Sequence, residues 1–151
     1  MKLIAISGPK YSKKDTLAMK LSQNSDCIWI KPYSDRPVRV NSNDTEDRFI
    51  KLNGTQLNTK INKEVPLAIT EINGHKYVFF ENQLNAEYVV LTGDDRIISY
   101  LKDNWNGELV TVKCHSNIEQ SSEICTLDDD EFDIVFNVDT DDYDFLECQI
   151  I

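Results

Sequence analysis

Only five glycines and four prolines occur among the 151 residues, which excludes a collagenous chain or a low-complexity linker. No apolar run approaches the roughly 20 residues of a membrane-spanning helix. A single basic residue precedes the first apolar run, unlike the start of a secretory signal, so a cytoplasmic protein without membrane contact is the expectation. Cysteine is sparse: Cys27, Cys114, Cys125 and Cys148 make no C-x-x-C pair, and His75 and His115 stand far apart. Nothing has zinc-site spacing, and four scattered cysteines read as buried thiols. Lys and Arg are missing altogether from the last 38 residues, which hold 12 acids. The first 113 hold all 16 Lys and Arg with 14 acids. This imbalance underlies the net charge of −10, which argues against nucleic-acid binding. It leaves room for a local basic pocket in the first part of the chain.

What is present is the composition of a globular domain, with 40% hydrophobic and 28% charged residues. A chain of this length buries roughly two-thirds of its unfolded surface, and one domain over residues 1–151 is expected. Residues 2 to 6 form a short apolar run closed by Ser7-Gly8-Pro9, the pattern of a buried strand and a turn. From Lys14 the period changes: Leu17, Ala18 and Leu21 share a helical face. Residues 27 to 30 read as a second strand and 31 to 48 as a polar loop, with a short strand over 48 to 51. Two alternating runs, 67 to 72 and 75 to 80, flank Asn73-Gly74, which suits a type I′ hairpin turn. Residues 88 to 91 continue the strand pattern. Thr92-Gly93-Asp94-Asp95 then caps a helix marked by Ile97, Ile98 and Leu101. A strand over 109 to 112 leads to Ser116-x-x-Glu119, a capping box that predicts a short helix. Residues 134 to 136 are the last clear strand. Strands alternating with helices predict a parallel α/β sheet, with the hairpin region as an insertion.

Between the first strand and first helix lies Ser7-Gly8-Pro9-Lys10-Tyr11-Ser12-Lys13-Lys14-Asp15-Thr16. The P-loop pattern is G-x-x-x-x-G-K-[ST] in that setting. Gly8 and Lys14 match with correct spacing, Lys13 replaces the second glycine, and Asp15 replaces the hydroxyl residue. Phosphate binding needs backbone N–H groups curled around the oxygens, a helix N-terminus and a reaching lysine. The candidates are Gly8, Lys10, Ser12, Lys13, Lys14, Asp15 and Thr16, with Lys13 adding charge to the loop. The alternative is a basic turn in which Asp15 or Ser12 caps the helix. The string also resembles the G-x-K-x-S-G-K-D-T loops of some phage deoxynucleoside monophosphate kinases. Gly8, Lys10, Ser12, Lys14, Asp15 and Thr16 fit that form and Lys13 does not.

Arg36, Arg39 and Arg48 fall within thirteen residues of a polar stretch. Guanidinium groups bind phosphate through paired donors; the alternative is three solvated surface arginines. Ser34-Asp35-Arg36-Pro37-Val38-Arg39 followed by Asp47-Arg48-Phe49 is similar to the S-x-T-T-R-x-P-R and D-Y segments of the guanylate kinase family. Glu71-Ile72-Asn73-Gly74-His75-Lys76-Tyr77 resembles its E-x-x-x-x-G-N-x-Y segment, and residues 133 to 137 resemble its late Y-D-x-V-I-x-N strand. The resemblance implies a five-stranded parallel P-loop kinase core with helices on both faces. It also implies a β-rich acceptor-binding insertion over 32–80 and a shortened lid near 116–131. ATP and Mg²⁺ are the implied cofactors and a nucleoside monophosphate, plausibly a deoxynucleotide, the implied substrate. Lys14, Arg36 and Arg39 then match catalytic positions, and Arg36, Arg39, Arg48 and Tyr77 the acceptor-phosphate site. Asp94 matches an acid near the nucleotide, and with Asp15 it would position the metal.

Three departures keep a second reading open. The family's base-reading glutamate and serine fall on Ala68 and Pro32, and residues 116 to 131 contain no arginine. The alternative is a guanylate-kinase-like module, impaired in catalysis, that binds a protein or phosphorylated partner at the arginines. The acids of 128 to 130 and 139 to 144 lie beside Phe132, Phe136, Tyr143 and Phe145. They read as a solvated loop with a closing strand or helix, or as an acidic surface for a basic protein partner.

Overall fold

The computed structural model describes residues 1–37, 48–121 and 125–151. The chain divides into two compact units, Met1–Trp29 with Ala86–Ile151, and Ile30–Asn85.

The first unit is built on five strands: β1 (Lys2–Ser7), β2 (Cys27–Trp29), β7 (Tyr88–Thr92), β8 (Glu108–His115) and β9 (Ile134–Asn137). Their order is β2-β7-β1-β8-β9, and every pairing is parallel. Side chains alternate across a strand, so Ile4 and Ile6 face one side. There they join Leu17, Ala18 and Leu21 of α1 (Lys14–Leu21) and Leu146 and Ile150 of α4 (Tyr143–Ile150). Leu3 and Ala5 face the other side and are also fully buried. On β1 and β8 packs α3 (Asp95–Asn104), burying Ile97, Ile98 and Leu101. The sheet is thus covered on both faces, as buried parallel strands require. Because the strands are all parallel, the loops after β1, β7 and β8 gather at one sheet edge. In open α/β sheets that edge, outside the carboxyl ends, is where ligands bind.

The second unit is a four-stranded sheet in the order β4-β3-β6-β5. Its strands are β3 (Tyr33–Ser34), β4 (Ile50–Lys51), β5 (Pro66–Ile72) and β6 (His75–Phe80). The β5–β6 turn places Asn73 at φ 52° and Gly74 at φ 79°, the two positive angles that a type I′ turn demands. One face is closed by α2 (Gly54–Lys63), whose Leu57 packs with Val78 and Phe80.

Three elements depart from the sequence expectation. The stretch from 31 contains strand β3, because Tyr33 and Ser34 pair with Val78 and Tyr77 of the hairpin. Helix α2 was not expected. Its Gly, Thr and Asn residues are weak helix formers, and its start is secured by a reciprocal capping box between Asn53 and Gln56. No helix follows Ser116 in residues 116–121. The Ser116 hydroxyl instead donates to the Tyr11 carbonyl, and the Glu119 carboxylate turns back to His115. Both side chains the capping box needed are spent elsewhere, Ser116 on a tertiary contact and Glu119 on a neighbouring residue. No helix among the described residues is long and apolar enough to cross a membrane.

Candidate functional site

The loop joining β1 to α1 is shaped by close approach. A Cβ added at Gly8 would lie 2.5 Å from the Cys114 carbonyl oxygen and 2.8 Å from Ser12 Cβ, so only glycine fits. The Ser12 N–H donates to the Pro9 carbonyl (3.0 Å), tightening the turn. Tyr11 and Lys13 both take left-handed conformations, at φ 63° and 64°. Such alternation points successive N–H groups into one hollow, the backbone nest that binds anions. From the other side, the Cys114 thiol donates to the Ser12 carbonyl (3.1 Å). Burial pushes that thiol up to about 12 despite the opposing charge of Lys14, so it stays a donor at neutral pH.

The residues expected to hold phosphate fall into distinct environments. The N-cap residue Lys13 makes no side-chain cap hydrogen bond among the described residues, so the first N–H groups of α1 are left for an anion. The Ser12 hydroxyl is buried with no hydrogen-bond partner among the described residues. Lys14 is half-buried at the start of α1 and Thr16 is exposed. Lys10 carries its carbonyl to the Gln120 N–H (2.9 Å) and its ammonium over the Tyr11 ring. Lys13 does not add its charge to the hollow: its Nζ donates to Asp139 Oδ1 at 2.8 Å. Pairing with Lys13, then the N–H of Asn117, holds the Asp139 carboxyl below its ordinary range.

Two acids were expected beside a metal. Asp15, in the first turn of α1, accepts from the Thr92 hydroxyl at the end of β7 (3.0 Å). Asp94 is buried and caps α3, with one oxygen accepting from the N–H groups of Arg96 and Ile97. Its other oxygen is bound by the Arg96 guanidinium, at 2.6 Å from one nitrogen and 3.2 Å from another. A carboxylate so engaged does not fit a metal-positioning role. Asp15 fits better, with one oxygen hydrogen-bonded and the other without a hydrogen bond among the described residues.

The sequence reading passed over a buried charge pair at the same sheet edge. Asp95, fully buried at the first position of α3, accepts from the Ser7 hydroxyl (2.6 Å) and the Leu127 N–H (2.8 Å). Both its oxygens lie 3.3 Å from Lys113 Nζ, itself buried and 5.0 Å from the centroid of the Phe132 ring. Lys113 pairs in register with Ser7, the residue before the loop. The available signal was a lysine between Val112 and Cys114 in the strand pattern. Lys113 and His115 also line a cleft of about 550 Å³ with Pro9, Glu119 and Asp129. His115 is clamped there between Glu119 (2.9 Å) and Asp129 (3.1 Å). Burial opposes its charge, yet the two carboxylates prevail and its pKa is raised.

In the second unit Arg36, Tyr77 and Phe49 come together. The Arg36 guanidinium lies 5.2 Å above the Phe49 ring, with one nitrogen 3.5 Å from the Tyr77 hydroxyl. The Phe49 and Tyr77 rings meet edge to face at 6.4 Å. Tyr77 is positioned by β6 and by pairing with Ser34, whose hydroxyl accepts from the Arg36 N–H (3.1 Å). Arg48 is exposed. Arg39 lies outside the described residues. Ala68, which stands at the position of the base-reading glutamate, is buried in β5. All four cysteines are free: Cys27 and Cys114 buried as expected, Cys125 half-buried and Cys148 exposed.

No protein-family model matches the chain, and no curated protein matches its sequence. Among solved structures, it is similar to the guanylate kinase from Anaplasma phagocytophilum. The TM-score is 0.67 at 13% sequence identity, covering 99% of this chain and 81% of that one. The likeness shows the fold, an α/β guanylate-kinase-like P-loop core with a second small mixed sheet.

Proposed function

We propose that the chain is a nucleoside monophosphate kinase that transfers the γ-phosphoryl group of ATP to a nucleotide acceptor. The observation that carries this reading is the loop after β1. A glycine in obligatory close contact, two left-handed residues and an uncapped helix N-terminus form an anion cradle at the end of the central strand. A buried serine hydroxyl without a partner adds a further donor.

In this reading the backbone from Gly8 to Lys14 holds the donor's phosphates, and Lys14 reaches the outer ones. Ser12 and Thr16 offer hydroxyls, and Asp15 holds Mg²⁺. ATP supplies the phosphoryl group and Mg²⁺ neutralises its oxygens. Arg36, Arg39, Arg48 and Tyr77 hold the acceptor's phosphate dianion, for which paired guanidinium donors are suited. The insertion over 32–80 is the acceptor-binding part of one domain. Such catalysis is positioning and charge neutralisation, with no covalent nucleophile. The buried Ala68 cannot accept from guanine's N–H groups, so guanine is not the favoured base. The phage-like loop makes deoxynucleotides the acceptors to try first, and the cytoplasm is the proposed site of action.

Two observations favour a second reading, a catalytically impaired module that binds an acidic or phosphorylated partner at the arginines. Residues 114 to 151 supply no Lys or Arg for the transferring group, and Lys13 is held by Asp139.

The deciding assay is phosphoryl transfer from ATP and Mg²⁺ to a panel of ribo- and deoxynucleoside monophosphates. The kinase reading expects Lys14→Ala to lower kcat by about 100-fold or more with the fold intact. Arg39→Ala is expected mainly to raise the acceptor KM. No turnover above the Lys14→Ala control, from folded protein, rejects the kinase and leaves the module.

A further inference from the structure

Lys13 stands where the phosphate-loop pattern has its second glycine, and its φ of 64° and ψ of 31° lie in the left-handed region. Glycine enters that region freely, whereas a residue with a Cβ resists it. A lysine there needs a compensating contact, and the structure contains one. Lys13 Nζ donates to Asp139 Oδ1 at 2.8 Å, and Asp139 Oδ2 accepts from the Asn117 N–H at 2.8 Å. The Asp139 N–H donates to Asn137 Oδ1 at 2.9 Å, while Asn137 Nδ2 donates to Asn117 Oδ1 at 3.3 Å. Asp139 is therefore fixed by the ends of β8 and β9 independently of the lysine it receives. Lys13 and Asp139 are partly exposed, and a pair of that kind is weak. Its worth is comparable to the backbone cost it offsets, which suits a contact that selects a conformation.

We infer that Asp139 is a positioning residue. By holding Lys13 left-handed it lets a lysine take the place of the loop's second glycine, so that the first N–H groups of α1 stay aimed into the anion hollow. The lysine's charge is spent on the aspartate and does not contact phosphate. What the hollow holds rests on the kinase reading; the coupling between the two residues does not.

A double-mutant cycle with Asp139→Asn and Lys13→Gly tests this on two independent readouts. The first is calorimetric binding of Mg·ADP. Asp139→Asn is expected to weaken binding about fivefold to tenfold in the parent loop, and less than twofold in the Lys13→Gly background. A general structural lesion would weaken both alike, and that result, or no weakening in the parent, overturns the inference. The second readout is thermal unfolding without ligand. Asp139→Asn is expected to lower Tm in the parent and by less than half as much in the Lys13→Gly background. Equal shifts overturn the inference. If the parent binds no Mg·ADP, the kinase reading fails while the thermal cycle still decides the positioning role.

Discussion

Breaking the Asp95–Lys113 pair is the sharpest perturbation of the core. Asp95 is fully buried and receives four contacts: the Ser7 hydroxyl, the Leu127 N–H and two approaches from Lys113 Nζ at 3.3 Å. Lys113→Met removes the cation and leaves a buried carboxylate with two neutral donors. Asp95→Asn removes the negative charge and leaves a single amide oxygen where two carboxylate oxygens had served the Ser7 hydroxyl, the Leu127 N–H and the Lys113 ammonium. Removing one member of a buried pair costs about 3–5 kcal/mol. For a chain of this size that lowers Tm by roughly 6–20 °C. The double change removes both charges, so its cost should fall short of the summed singles by about 2 kcal/mol or more. Urea unfolding at pH 7 followed by tryptophan fluorescence reads this directly, since Trp29 and Trp105 both lie in the unit that holds the pair. Single losses under about 1 kcal/mol, or strictly additive ones, would refute the reasoning. They would mean that solvent or relaxation satisfies each charge alone.

The two glycines with special geometry should fail for different reasons. Gly8→Ala puts a methyl group against the Cys114 carbonyl and should cost about 1–3 kcal/mol in urea unfolding. Gly74→Ala meets nothing within 4 Å, so only the φ of 79° is penalised, at about 1 kcal/mol; equal costs would contradict the contact argument. Asn53→Ala breaks the capping box of α2 and should remove about 1 kcal/mol, read as earlier amide exchange in residues 54–63. The raised pKa of His115 gives a pH signature. Its contribution is complete below the ordinary histidine value of 6.5 and is lost as pH rises through the folded value. Unfolding free energy followed from pH 5.5 to 8.5 should therefore fall more steeply in the parent than in His115→Gln, and parallel profiles would remove the Glu119–Asp129 clamp from the account.

Much of the fold was legible because the determining signals are local. Apolar runs closed by turn residues marked β1, β7, β8 and β9, and Asn73-Gly74 marked the hairpin, since few dipeptides tolerate two positive φ angles. Asp94 was readable as a cap by its place before an apolar-periodic run. What escaped notice depends on partners distant in sequence. Strand β3 is two residues long and exists through its pairing with β6. Ser116 and Glu119 carry a helix-start signature, yet the Ser116 hydroxyl is taken by Tyr11, 105 positions away, while Glu119 turns to its near neighbour His115.

For the candidate site the division is similar. Chain order alone placed Gly8 and Lys14 between a strand and a helix, because a phosphate loop is a continuous segment and its spacing survives in one dimension. The same holds for Arg36 and Tyr77 as members of recognisable local segments. Tertiary structure decided how their neighbours are used. It turned Lys13 toward Asp139 and buried Asp95 against Lys113. The physical reason is that a charge finds its partner through space. Lys13 and Asp139 are 126 positions apart in the chain, and no periodicity or spacing rule reaches across such a gap.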